Sequence, residues 1–365
     1  MIHRVSYFRI RNWAILLIFV PSLVPINTWV LAQAQPPPPA AAPGSPAEPA
    51  NLQAIEATYQ AEISSAKFKR LEAVATLAGK LKGEESHELW RYYLDTVVSE
   101  ELFSQAEKTA EKLLLVKDLP VDIRALAEAT HIIAEARRGA LEESLTSVKK
   151  LFVTPAEPKN EDLIIPVHVQ LGLVEVYLRT IVDAGRYDLA RKAIDVISAS
   201  TKSEDVLDYL QGEKKSLERI GKPVPAVKGV DVDGRPFELS TLKGKPVLIV
   251  FWATWDEISA DQLDTIADLS EANKDKGLQV VTINVDRLRE NAEPPADLAV
   301  DIRRFLVERN LLWKSLISDT GEKDYANILG VRYLPSNLVI DKTGVVRHVD
   351  RSPQGLTSAV AEVCK

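Results

Sequence analysis

Val250-Phe251-Trp252-Ala253-Thr254-Trp255-Asp256-Glu257-Ile258-Ser259 is the stretch whose reading decides the fold. The run from Pro246 to Phe251 is short and apolar, the length of a buried strand, and a segment of helical periodicity begins at Asp256. A strand therefore delivers the chain straight into a helix. Thr254-Trp255-Asp256-Glu257 reads T-x-x-E, the pattern in which a threonine caps a helix and a glutamate three residues on reaches back. Acids in a first helical turn also suit the positive end of the helix dipole. Asp256 and Glu257 could alternatively be paired for acid and base work, but the turn holds no histidine or lysine to complete a relay.

Outward from this turn, short apolar runs alternate with helical segments. Val227–Val230 and Phe237–Leu239 flank the Asp233-Gly234 turn and read as a hairpin. The strand from Val247 to Phe251 is followed by a helix from about Asp256 to Lys274, a strand from Leu278 to Asp286 and an insertion with Pro294 and Pro295. A helix from Ala296 to Arg309 comes next, then an extended piece near Leu316 to Ser318 and a short helix before Gly330. Ser336–Ile340 and Val345–Val349 pair across Asp341-Lys342-Thr343-Gly344, and a helix from Pro353 to Cys364 closes the chain. This order predicts an α/β sheet covered on both faces.

Together, Leu242-Lys243-Gly244-Lys245-Pro246, the Phe-Trp-Ala-Thr-Trp turn and the loop Gly330-Val331-Arg332-Tyr333-Leu334-Pro335-Ser336 resemble exported thioredoxin-like proteins of the TlpA/ResA (AhpC/TSA-like) type. The resemblance covers residues 222–365. In that family the turn reads F-W-A-T-W-C-x-x-C, and here Asp256 and Ser259 hold the two cysteine positions. A cysteine at a helix N-terminus is stabilised as a thiolate and becomes a nucleophile. An aspartate there accepts the same N–H groups but forms no disulfide and carries no electrons, so no catalytic residue is expected. The resemblance further implies that Pro335 follows a cis peptide bond and leaves the backbone of Leu334 free to pair with an extended peptide. Trp255, Asp256, Leu334 and Pro335 are accordingly the candidate peptide groove.

Residues 51–221 read differently. Ile123, Leu126, Ala127, Thr130, Ile133 and Ala134 share one helical face, as do Val169, Leu173, Val176, Tyr177, Thr180, Ile181 and Ala184. Breaks are expected at Gly83, Asp118-Leu119-Pro120 and Thr154-Pro155-Ala156-Glu157-Pro158. Phe103-x-x-Ala106, Leu141-x-x-Ser144 and Tyr187-x-x-Ala190 each open a helix after a polar turn. These offsets miss a regular repeat, so the region is expected to be an irregular all-α helical-hairpin array, weakly tetratricopeptide-like, that either scaffolds or offers a concave face to partners. The expectation is a multi-domain chain: helical array, then an α/β thioredoxin-like fold.

Residues 1–34 read as a signal peptide. His3, Arg4, Arg9 and Arg11 precede an apolar run from Trp13 to Leu31, and Ala32-Gln33-Ala34 offers a cleavage site. The run is also long enough to serve as an anchor. Either way the remainder is expected to be exported, in the periplasm or cell envelope, touching membrane only through an uncleaved N-terminal segment. Residues 35–50 form a Pro/Ala-rich linker. Without the first 34 residues, 42 basic residues face 52 acidic ones, a formal charge of −10. Such a surface repels phosphate backbones, and no nucleic-acid partner is expected.

Cys364 is the only cysteine, which excludes an internal disulfide, and its expected role is packing the last helix. The five histidines show no ligand spacing, so neither a metal nor any other cofactor is expected. The functional expectation is a redox-inactive thioredoxin-like binding or scaffolding module for a protein or peptide. The alternative is a thiol-disulfide oxidoreductase or peroxiredoxin-like enzyme of the same superfamily.

Overall fold

The computed structural model of the chain describes residues 52–152, 167–289 and 294–365. The signal segment, the linker and the break at 154–158 lie outside the described residues. The described residues form two compact units, one ending at Tyr93 and one running from Leu94 to Lys365.

From Leu52 to Tyr93 the described residues are mainly helical. α1 (Leu52–Ala78) and α2 (Glu84–Ser99) are separated at Gly83, whose positive φ of 63° glycine adopts without steric cost. Ser86 Oγ donates to Ala78 O at 2.8 Å, satisfying one of the carbonyls that a helix end leaves open.

In the larger unit, α3 (Phe103–Leu114) packs on α4 (Val121–Arg137), which also packs on α5 (Leu141–Val148) and α6 (Val167–Asp183). α7 (Tyr187–Ser200) and α8 (Glu204–Leu217) complete the array, each in contact with α6. The face predicted for α4 is buried from Ile123 to Ala134. α6 departs from the single face expected of it. Val174, Leu178 and Val182 are buried alongside Leu173, Tyr177 and Ile181, because α6 packs against α4, α7 and α8 and also against the last helix of the chain.

The α/β part follows the predicted order closely. β1 (Lys228–Val230) and β2 (Pro236–Glu238) form the hairpin. β3 (Val247–Trp252), β4 (Gln279–Asn284), β5 (Lys314–Ile317), β6 (Ser336–Ile340) and β7 (Val346–Val349) form one sheet in the order β5-β4-β3-β6-β7. β3 and β4 run parallel, as do β4 and β5, while β6 is antiparallel to β3 and to β7. Every residue of β3 is buried, as expected of a central strand covered on both faces.

α9 (Glu257–Ala272), α10 (Pro295–Glu308) and α12 (Pro353–Val363) share one core with the sheet. In it Leu248, Val250 and Trp252 meet Leu263, Ile302 and Val360. Trp252 stacks on Phe305 with ring centroids 4.9 Å apart. The alternate residues Ile249, Phe251 and Ile283 are buried on the other face. α11 (Tyr325–Ile328) ties the first hairpin to the rest: Tyr325 Oη donates to Lys228 O at 2.8 Å. Cys364 lies at the end of α12 inside the shared core, 6% exposed, and burial pushes its thiol above the ordinary value. The helical array followed by an α/β thioredoxin-like fold is thus the architecture observed.

Candidate functional site

The turn between β3 and α9 is held by side chains of its own. Asp256 is the N-cap of α9, and its Oδ2 accepts from Ser259 N at 3.2 Å. Ser259 Oγ donates to Asp256 O at 3.0 Å and accepts from Ala253 N at 3.2 Å. Both residues are buried, at 3% and 0% exposure. Their polar groups are therefore spent on closing the turn.

The expected capping box is not formed. Thr254 does not cap α9; its N–H and its Oγ1 each donate at 2.8 Å to the carboxylate of Asp286, two residues past the end of β4. Glu257 sits in the first helical turn and is exposed. The physical reason is that the cap falls two residues later than the T-x-x-E pattern suggests, and Thr254 is drawn toward a buried carboxylate from the neighbouring strand. Burial pushes the pKa of Asp286 up, while the two Thr254 donors oppose the shift. Sequence reading missed Asp286. The only signal was an acid ending an otherwise apolar strand, and its partner lies 32 residues away.

Across the sheet, Ser336 is directly opposite Phe251, so Leu334 and Pro335 run beside the end of β3 where α9 begins. The Leu334–Pro335 bond is cis. Leu334 is 3% exposed, and among the described residues neither its backbone N–H nor its C=O has a hydrogen-bond partner. Trp255 is half-buried.

What faces this loop is the helical array. Tyr333 packs on Tyr209 of α8 with centroids 5.2 Å apart, and a Cβ on Gly212 would meet its ring at 3.0 Å. The missing side chain at Gly212 thus lets α8 approach the loop. Below, Ser352 N donates to Asp183 Oδ1 at 2.9 Å, and Arg351 donates to the carbonyl of Val182. Tyr187 Oη and His348 Nδ1 are 2.6 Å apart. Asp350 accepts from Ser216 and from Ser336, and its φ of 49° is a left-handed conformation that aspartate tolerates better than most residues.

Between these contacts lies a cavity of about 1170 Å³. Pro335, Tyr333, Ile258 and Gln262 line it from the α/β side, and Arg179, Tyr209 and Glu213 from the array. Of the candidate groove residues, Pro335 alone lines it; Trp255, Asp256 and Leu334 do not. Glu101, at the array end, is held below the usual carboxylate range: burial pushes it up, but Arg179 and Arg137 together outweigh that. Sequence reading placed none of the array residues at the site. Away from the cavity, the tertiary structure brings His131 near Glu107 and Glu111, a grouping that sequence spacing hides. Glu107 is already paired with Arg138.

The AhpC/TSA family profile matches residues 220–349. The thiol-disulfide oxidoreductase ResA of Bacillus anthracis is 31% identical over 132 residues, which is 36% of this chain and 69% of that protein. ResA of Geobacillus thermodenitrificans is 26% identical over 136 residues, 37% of this chain and 71% of the relative. Among solved structures, the thioredoxin domain of a thiol-disulfide oxidoreductase from Bacteroides vulgatus is 22% identical, with a TM-score of 0.34, covering 40% of this chain and 98% of that one. With 31% identity to the Bacillus anthracis ResA over 69% of its length, the chain belongs to the thioredoxin-like ResA-type family through its C-terminal domain.

Proposed function

We propose that this is an exported thioredoxin-like protein without a redox dithiol, working as a peptide- or protein-binding module of the cell envelope. Asp256 and Ser259 stand where the family pattern has cysteines, and each uses its side chain to close the turn. The one thiol, Cys364, is buried at the far end of α12 with a raised pKa, the opposite of a reactive cysteine. Thiol-disulfide exchange therefore lacks its nucleophile.

The observation that carries the binding role is Leu334. Its backbone donor and acceptor have no partner among the described residues, while Tyr333 and Pro335 on either side line the cavity. Buried backbone groups are nearly always paired, so an unpaired donor and acceptor suit an extended peptide that pairs with them. The helical array, tetratricopeptide-like in its hairpins, supplies the opposite wall. Export rests on the N-terminal pattern, and among the described residues no helix is long and apolar enough to cross a membrane.

The test pairs two assays on the purified chain. Insulin reduction is expected to be at background. Capture of an extended peptide is expected to weaken when Trp255→Ala and Leu334→Pro are introduced separately, the second removing the donor. Turnover that disappears with Cys364→Ser would establish the enzyme instead, and capture indifferent to both substitutions would remove the groove.

A further inference from the structure

The cavity wall carries an imbalance in hydrogen bonding that points to the chemistry of what enters. Arg219, at the end of α8, donates through Nε to Ser216 O at 3.2 Å and through Nη2 to Ser216 Oγ, and lies 3.8 Å from Asp350. Its Nη1 is buried without a partner among the described residues. Arg351, only 5% exposed, donates Nη1 to Val182 O and stacks over Tyr187, while its Nε is likewise buried and unpartnered. Both residues line the cavity. A buried N–H left without an acceptor is costly, and more so on a charged group. Two guanidinium donors in one wall therefore call for an acceptor.

Position ties them to the groove. Asp350, the acid beside Arg219, accepts from Ser336, the residue after Pro335, and Arg351 N donates to Asn337 Oδ1 at 3.1 Å. The two arginines thus stand just beyond the Leu334–Pro335 edge along β6. Burial also pulls the Arg219 guanidinium below its ordinary pKa, though Asp350 and Glu213 oppose the shift.

Resting on the binding reading above, we propose that the cavity takes a short extended peptide whose carboxylate is held by Arg219 and Arg351. A carboxylate matches the planar guanidinium fork. A phosphate matches it less well here, because Asp183, Glu213 and Asp350 share the wall and repel a second negative charge. The volume exceeds the roughly 300–1,000 Å³ of small-molecule pockets, leaving room for several residues. Ile258, 45% exposed at the mouth of α9, offers the apolar contact.

Calorimetry on the full chain tests this with three blocked hexapeptides of alanine and valine. One ends in a free carboxylate, one in a C-terminal amide, and one in the amide with a single internal aspartate. The free acid, the aspartate peptide or both are expected to bind at least about ten-fold tighter than the plain amide, and their ranking tells a terminal from a side-chain carboxylate. Arg219→Gln, shown to be folded by its thermal transition, is expected to abolish that preference while leaving amide binding in place. Equal affinity for all three peptides overturns the carboxylate proposal and leaves the binding module standing. Absence of binding by any of them overturns both. Because the peptide comparison needs no variant, the test survives an Arg219→Gln chain that fails to fold.

Discussion

Gly355→Ala probes how the helical array is seated on the thioredoxin-like domain. Gly355 lies in the first turn of α12, and an added Cβ would come within 2.1 Å of Asp183 Oδ1 and 2.8 Å of its Cγ. The whole Asp183 side chain is in the way, and it is anchored, since its Oδ1 accepts from Ser352 N at 2.9 Å. The substitution must push that carboxylate off its donor. Losing a hydrogen bond to a charged acceptor costs about 1.5–3 kcal/mol, and forcing one methyl into a filled site costs a further 1–3 kcal/mol or so. Against this, alanine in a helix is favoured over glycine by up to about 1 kcal/mol. The net expectation is a loss of roughly 2–4 kcal/mol. Urea unfolding followed by tryptophan fluorescence measures it, and a double-mutant cycle with Asp183→Ala isolates the cause. With the carboxylate gone there is room for the methyl, so Gly355→Ala in that background is expected to be neutral or slightly stabilising. A penalty equal in both backgrounds to within about 0.5 kcal/mol refutes the reasoning, because distant or uncoupled sites add to that accuracy.

Two further outcomes follow from the same contacts. Asp256→Ala removes the cap of α9 and should destabilise the chain by about 1 kcal/mol in the same denaturation experiment, without creating or abolishing disulfide exchange. His348 is buried between Tyr187, Glu362, Arg347 and Arg351, and its pKa is held below 6.5 by burial first and Arg351 next. The unfolded chain therefore takes up that proton before the folded one. The contribution to stability is full above pH 6.5 and is lost as pH falls below it, so thermal scans at about pH 7.5 and about pH 5.5 should differ less for His348→Gln than for the native chain.

Much of the α/β part could be read from local text. Strand and helix order from Lys228 to Val363 followed from apolar runs, the two Asp/Gly turns and the position of Pro353, because backbone propensity and burial agree there. The Leu334–Pro335 loop was found by its motif. The cap at Asp256 was misassigned to Thr254, since a pattern of spacing cannot see that Asp286 arrives from the next strand to claim the threonine.

The sequence by itself determined the class of fold, the aspartate and serine at the turn and the order of helical and α/β stretches, all of which depend on residue type and period along the chain. Only the tertiary structure decided that the helical array closes over the proline loop. That closure depends on Gly212 letting α8 approach Tyr333, on Asp183 reaching Ser352 from 169 residues away, and on two arginines left with spare donors in a shared wall. Such contacts join residues remote in sequence, and their energy comes from packing and paired charge that no local pattern encodes.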